Sequence, residues 1–104
     1  MKRISLAIAY LTAGFAFTTP ALADMPLATA KNCMACHAVD KKLVGPSYKE
    51  VAAKYAGQND AADKLAVKVI KGGAGVWGPV PMPANAQVTP DEAKKLIAWI
   101  LGQK

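Results

Sequence analysis

Histidine occurs once in these 104 residues and cysteine only twice. After Arg3 there is no arginine, so every later cation is a lysine. Each scarcity removes a class of function. Two cysteines cannot build the multi-bridge framework of a small secreted scaffold. A structural zinc site needs four ligands, and two Cys with one His fall short unless a carboxylate joins them. No stretch carries the alternation of a strand, which removes the βαβ setting of a thioredoxin-like dithiol. The lysines are scattered among Asp and Glu rather than gathered in a stripe, which argues against nucleic acid. The mostly apolar run Ile4–Phe17 has fourteen residues, short of the ~20 that a membrane-spanning helix needs. No internal repeat and no second domain are visible.

The N-terminus has its own logic. Lys2 and Arg3 precede that apolar run, and Ala21-Leu22-Ala23 follows it as a small-x-small cleavage signal. The three parts together predict a secretory signal peptide over residues 1–23, cut after Ala23 and followed by no stable membrane insertion. The working chain is then residues 24–104, one small domain exported to the periplasm. The formal charge of the whole chain is +6. Without Lys2 and Arg3, eleven lysines face seven carboxylates, and most of these lysines read as a solvated surface. A chain this short buries a modest core and is often helped by a staple.

The staple is legible at Cys33-Met34-Ala35-Cys36-His37. Cys-x-x-Cys-His is the attachment signal for a c-type haem. On a helix, residues three apart share a face, so both thiols can reach the two vinyl groups of one porphyrin. His37 follows at once, placed to coordinate the iron. A disulfide between Cys33 and Cys36 would close a trivial loop and constrain little.

Periodicity and caps predict four helices and no strand, hence an all-α domain. Helix one is expected from about Pro26 to Cys36, with Pro in its first turn. A loop, Ala38–Pro46, leads to the capping box Ser47-x-x-Glu50. Helix two then presents Tyr48, Val51, Ala52 and Tyr55 on one face and ends at Gly57. Asn59 or Asp60 is expected to cap helix three, whose apolar face reads Ala62, Leu65, Ala66, Val69 and Ile70. Gly72-Gly73 stops it. Residues 72–88 lack a period yet are rich in apolar residues and prolines, the profile of a packed functional loop. Thr89-Pro90-Asp91-Glu92 opens helix four, with Ala93, Leu96, Ile97, Ile100 and Leu101 inward.

An iron held by His37 needs a second axial ligand or an open position. No second His exists. Met34 is too close to His37 to reach the opposite face of the ring, and Met25 lies near the mature end. Met82 stands between Pro81 and Pro83, whose fixed φ angles stiffen the loop. The expected iron ligands are therefore His37 and Met82. A thioether ligand favours ferrous iron and raises the potential. With both axial positions filled and the only His committed, no general base remains. This pattern describes a one-electron shuttle rather than an enzyme.

The same residues resemble a family: the short soluble bacterial cytochromes c of the c-551/c-552 type. The likeness covers nearly all of residues 24–104. It is carried by the haem signature, Val44-Gly45-Pro46, Val51–Gly57, Gly75-Val76-Trp77-Gly78, Pro81-Met82-Pro83 and Ala98-Trp99-Ile100-Leu101. It implies the class I cytochrome c fold, about four helices around one covalent haem held by Cys33 and Cys36. It further implies that the Pro46 carbonyl accepts the Nδ1–H of His37 and that Trp77 donates to a haem propionate. Lys68 is implied as a second propionate partner and Asn85 as a support for the Met82 loop. A haem edge is implied to emerge among Ala35, Leu43, Val44, Pro79, Val80, Pro81 and Pro83, a patch for docking. The implied partners are a membrane cytochrome complex as donor, and a nitrite reductase, cytochrome oxidase or peroxidase as acceptor, met by a monomer. Two positions depart from the pattern: Ala84 stands where a second Pro is common, and Asn32 where relatives often have Gly. The rival readings are a peroxidase-like haem enzyme, which needs a vacant iron position, and a ligand sensor, which needs a displaceable Met82.

Overall fold

The computed structural model describes Gly14 and residues 24–104. Apart from Gly14, the expected signal segment 1–23 lies outside the described residues. Among the described residues four α-helices follow in order: α1 Met25–Ala30, α2 Tyr48–Tyr55, α3 Ala61–Lys71 and α4 Pro90–Leu101. A short 3-10 turn, Cys33–Ala35, sits between α1 and α2. Among the described residues the only β-type pairing is an isolated bridge between Gly73 and Met82. The expected all-α class is what the chain adopts.

The first helix is shorter than its sequence pattern predicts. It does not run to Cys36. It ends at Ala30, because Asn32 takes a left-handed conformation with φ 64°. Asn enters that region at lower cost than other side-chain-bearing residues. The chain then restarts as a 3-10 turn, in which Cys36 N–H donates to Cys33 O at 3.2 Å and His37 N–H to the same oxygen at 3.1 Å. Residues three apart eclipse in a 3-10 turn, so Cys33 and Cys36 still share a side. Position 32 thus carries a backbone requirement, a positive φ, that a glycine would also meet.

Both predicted capping boxes form. Ser47 Oγ accepts from Glu50 N–H at 3.1 Å while Glu50 Oε2 accepts from Ser47 N–H at 3.0 Å. Thr89 and Glu92 repeat the exchange at 3.2 and 3.1 Å. Each such cap is worth about 1 kcal/mol. The Glu92 carboxyl is held below its usual range, first by the Thr89 N–H and then by Lys31, which pairs with it at 3.2 Å. The expected side-chain cap of α3 does not form. Asp60 occupies the N-cap position in helical geometry without a capping bond. Its carboxylate instead pairs with Lys64 one turn on, at 2.6 Å.

The core gathers on α4, which packs against α1, α2 and α3. Ala93, Leu96, Ile97, Trp99 and Ile100 are buried along it. Tyr48, Val51 and Ala52 face it from α2, and Ala61, Leu65, Ala66 and Val69 from α3. Two inward positions differ from expectation. Ala62 is exposed and Ala61 is buried, because the stripe follows the i, i+4 row 61, 65, 69. Trp99 is buried at 4% exposure, edge-on to Tyr48 with ring centroids 5.3 Å apart. A helix that takes neighbours on three sides buries a wider arc than one apolar stripe.

Candidate functional site

The helices leave a cleft of ≈ 300 Å³. Its lining includes Cys36, His37 and Pro46, the apolar faces of Tyr48, Leu65, Val69, Ile97 and Ile100, and much of the 73–83 loop. A second cavity of ≈ 100 Å³ shares Cys36, His37, Tyr48, Met82 and Ile100, and adds Cys33 and Asn85. The structure thus brings Cys33, Cys36, His37 and Met82 around one space. Met25 and Met34 pack against the hydrophobic core and line neither cavity.

His37 is positioned by three contacts. Nδ1 lies 2.8 Å from Pro46 O. A carbonyl oxygen can only accept, so Nδ1 carries the proton and Nε2 keeps its lone pair for a metal. The ring stacks on Tyr48 with centroids 5.2 Å apart and planes 23° from parallel. Gly45 presses on its Cε1 edge: a Cβ there would stand 2.5 Å from Cε1 and 2.8 Å from Nδ1. Gly45 cannot retreat easily, because its N–H donates to Cys36 O at 2.8 Å and its carbonyl accepts from Leu43 N–H at 3.2 Å.

Tyr48 also meets the thiols. Burial first, then the nearby Cys33 sulfur, pushes the ionisation of its hydroxyl upward. Burial likewise pushes the Cys33 thiol up, against smaller opposing effects of its backbone and of the Tyr48 hydroxyl. Cys33 and Cys36 are not joined to each other in a disulfide, and both are partly exposed.

The Met82 loop is anchored at its backbone. Met82 N–H donates to Gly73 O at 2.7 Å and Gly73 N–H returns to Met82 O at 3.1 Å. Gly72, with φ +74°, allows the approach, since a Cβ on it would lie 2.6 Å from Met82 O. Asn85 ties the far end to α3: its N–H reaches Ile70 O at 3.1 Å, and Nδ2 reaches Val69 O at 2.9 Å and Pro83 O at 3.2 Å. Both amide hydrogens of Asn85 therefore go to carbonyls rather than to the Met82 sulfur.

The remaining expected residues lie at the rim. Trp77 lines the cleft and is 39% exposed, with Lys54 Nζ 5.4 Å from its ring centroid, a cation–π distance. Lys68 also lines the cleft, its methylenes running beside Gly73. Ala35, Leu43, Val44, Pro79, Val80, Pro81 and Pro83 are all exposed. Of these, Ala35 and Leu43 stand outside the cleft lining. Val76, 47% exposed, belongs with them on the rim.

Gly45 read as a turn and Tyr48 as core in the sequence; their service to His37 was hidden, because nothing local links positions 45 and 48 to 37. Among the described residues, no three His, Cys, Asp or Glu side chains gather to hold a metal ion, so the recruited carboxylate of a zinc site is not in place. What the cleft offers suits haem c instead: two thiols on one side of a 3-10 turn, an imidazole with Nε2 unprotonated, a thioether and apolar walls.

Comparison with known proteins agrees. The family model for cytochrome c matches residues 26–104. Cytochrome c-551 of Pseudomonas aeruginosa is 50% identical over 106 residues, covering all of both chains. Cytochrome c-552 of Hydrogenobacter thermophilus is 51% identical over 104 residues, again covering both fully. The crystal structure of wild-type Nitrosomonas europaea cytochrome c552 superposes with a TM-score of 0.76 at 52% identity, covering 78% of this chain and 100% of that one.

Proposed function

The chain belongs to the cytochrome c family, as a bacterial class I member of the c-551/c-552 type, and from that premise we propose that it is a periplasmic electron carrier with His37 and Met82 as its two axial ligands. Family membership brings covalent haem c, electron transfer and redox partners. The haem supplies reversible storage of one electron between ferrous and ferric iron. The finer assignments concern this chain's own residues. Cys33 and Cys36 hold the group by thioethers. His37 offers Nε2, with Pro46 keeping the proton on Nδ1. Met82 offers its sulfur from a loop held by Gly73 and Asn85. Trp77 and Lys68 are the donors toward the propionates.

The observation that carries this reading is the shared lining: His37, in the right tautomer, and Met82 border the same two cavities. A soft thioether opposite an imidazole raises the potential. Full ligation also leaves no position for a substrate, and the only His is committed. The carrier reading is tested on protein purified from the periplasm. Its intact mass should equal residues 24–104 plus one haem, and the reduced form should bind carbon monoxide poorly. A retained Met1 would refute the cleavage, and ready uptake of carbon monoxide would favour the peroxidase-like or sensor reading.

The rim serves docking in this reading. Val44 and Val80 are 59% and 61% exposed, among apolar neighbours and beside Lys42. An apolar patch with nearby charge suits a transient partner, since charge steers and apolar contact aligns. The proposed partners are a membrane cytochrome complex as donor and a nitrite reductase, oxidase or peroxidase as acceptor, met by a monomer. Val44→Lys should slow electron exchange with the physiological partner about tenfold, the cost of burying one charge without a partner being at least 1–3 kcal/mol. The potential should not move. Equal exchange rates in stopped-flow mixing would remove the patch from the proposal.

A further inference from the structure

The Met82 loop has a tie that reaches the segment just before Cys33. Asn85 spends both amide hydrogens on Val69 O and Pro83 O. Its Oδ1 accepts from Gln87 Nε2 at 3.2 Å. The same Gln87 nitrogen donates to Lys31 O at 3.3 Å. Lys31 lies two residues before Cys33, and Asn85 three residues after Met82. One side-chain amide therefore bridges the segment that carries the thiols and the loop that carries the thioether. The orientation of both amides is dictated by their neighbours. Lys31 O, Val69 O and Pro83 O can only accept, so each must meet an NH₂ group. Asn85 Oδ1 is then left facing Gln87, whose second N–H completes the chain.

We propose that Gln87 is a positioning residue for the Met82 loop, holding Asn85 in the orientation that pins Pro83 and tying that loop to the Cys33 segment. The role is separable from the neighbouring ion pair. Lys31 Nζ binds Glu92 at 3.2 Å and Gln87 O at 3.0 Å, and these contacts use the lysine side chain. The bridge uses the lysine carbonyl.

The test uses the holoprotein and two substitutions at one position. Gln87→Glu keeps the shape but turns an acceptor toward Lys31 O and Asn85 Oδ1. Asn85 can relieve that only by swinging Nδ2 away from Val69 and Pro83. Gln87→Ala removes the donor without adding charge, and serves if the first variant folds poorly. Hydrogen exchange is read at the Met82 and Asn85 backbone amides relative to Leu96 in α4. Either Gln87 variant should speed that ratio by about three- to tenfold, the factor expected for one net hydrogen bond. Lys31→Met, which breaks the ion pair but keeps the carbonyl, should lower the melting temperature and leave the ratio at its wild-type value. If Gln87 variants and Lys31→Met exchange alike, Gln87 is only part of the helix junction and the proposal is overturned.

A second readout rests on Met82 as iron ligand: cyanide should bind the ferric Gln87 variants faster by a similar factor. Faster exchange with unchanged cyanide binding would uphold the positioning role and count against Met82 as the ligand being displaced. The two proposals thus fail separately.

Discussion

Met82→Ala is expected to leave the haem attached while lowering the potential and opening the iron. In the proposed arrangement attachment depends on Cys33 and Cys36, and His37 keeps its bond to Pro46 O at 2.8 Å, so nothing on that side changes. The thioether is what the variant removes. With Met82 as the proposed ligand, ferrous iron would lose its preferred partner, and the potential should fall by on the order of 0.1 V or more, part of the roughly 0.8 V span that axial ligation commands. Carbon monoxide should bind the reduced form readily. The weak long-wavelength absorption of a sulfur–iron bond should vanish from the ferric form. Stability should suffer modestly. Met82 is half-buried against the core, so the loss belongs near the low end of large-to-small substitutions, about 2 kcal/mol. Peroxidase-like activity should remain weak, because no second His stands by as a general base. If the variant keeps the wild-type band, potential and resistance to carbon monoxide, Met82 is a packing residue and another group closes the site.

Gly45→Ala should do comparable damage from the other side, through a single methyl. The added Cβ would stand 2.5 Å from His37 Cε1, inside any allowed contact. Backbone bonds from Gly45 to Cys36 and from Leu43 to Gly45 hold the main chain, and Tyr48 lies stacked on the imidazole. The ring must shift, stretching its bond to Pro46. Overpacking of this kind costs about 1–3 kcal/mol, and weakening the His37 bond adds about 1 kcal/mol. For a domain of this size that corresponds to a melting temperature lower by roughly 10 °C or more. The potential should move as well if His37 is the iron ligand proposed above, since its imidazole would be reoriented. Gly102→Ala is the matched control: its Cβ would meet nothing closer than 3.4 Å. Equal melting curves for Gly45→Ala and wild type would show that the imidazole is not seated on Gly45.

These two variants probe unlike kinds of information. Met82 stood out in the sequence by elimination, as the methionine far enough from His37 and stiffened by two prolines. The capping boxes at Ser47–Glu50 and Thr89–Glu92 were equally open to reading. Gly45 was not. Its dipeptide with Pro46 announces a turn, but the histidine edge that forbids a Cβ lies eight residues away and meets it only because the 38–46 loop folds back. Gly72 is a similar case: its stop signal for α3 was plain, whereas the Met82 carbonyl that a Cβ would strike is ten residues downstream.

What is chemically local can be read from the order of residues alone. Two thiols at a spacing of three, a histidine beside them, cap residues at i and i+3, and an apolar row on each helix are relations within one or two turns, where chain geometry leaves little choice. The all-α class and the haem-attachment signature follow from them, whereas the family rests on the resemblance of longer motifs and on the matching relatives. The packing of distant segments sets everything that depends on which surfaces meet. It broke the first helix at Asn32, buried Ala61 instead of Ala62, and drew Trp99 inward against Tyr48. It also set an imidazole against a glycine and let Gln87 link Lys31 to Asn85. The physical reason is range. A cap or a spacing is satisfied by its own neighbours, whereas a close packing contact or a long-range hydrogen bond exists only after distant segments are brought together, and carries no local pattern that would announce it.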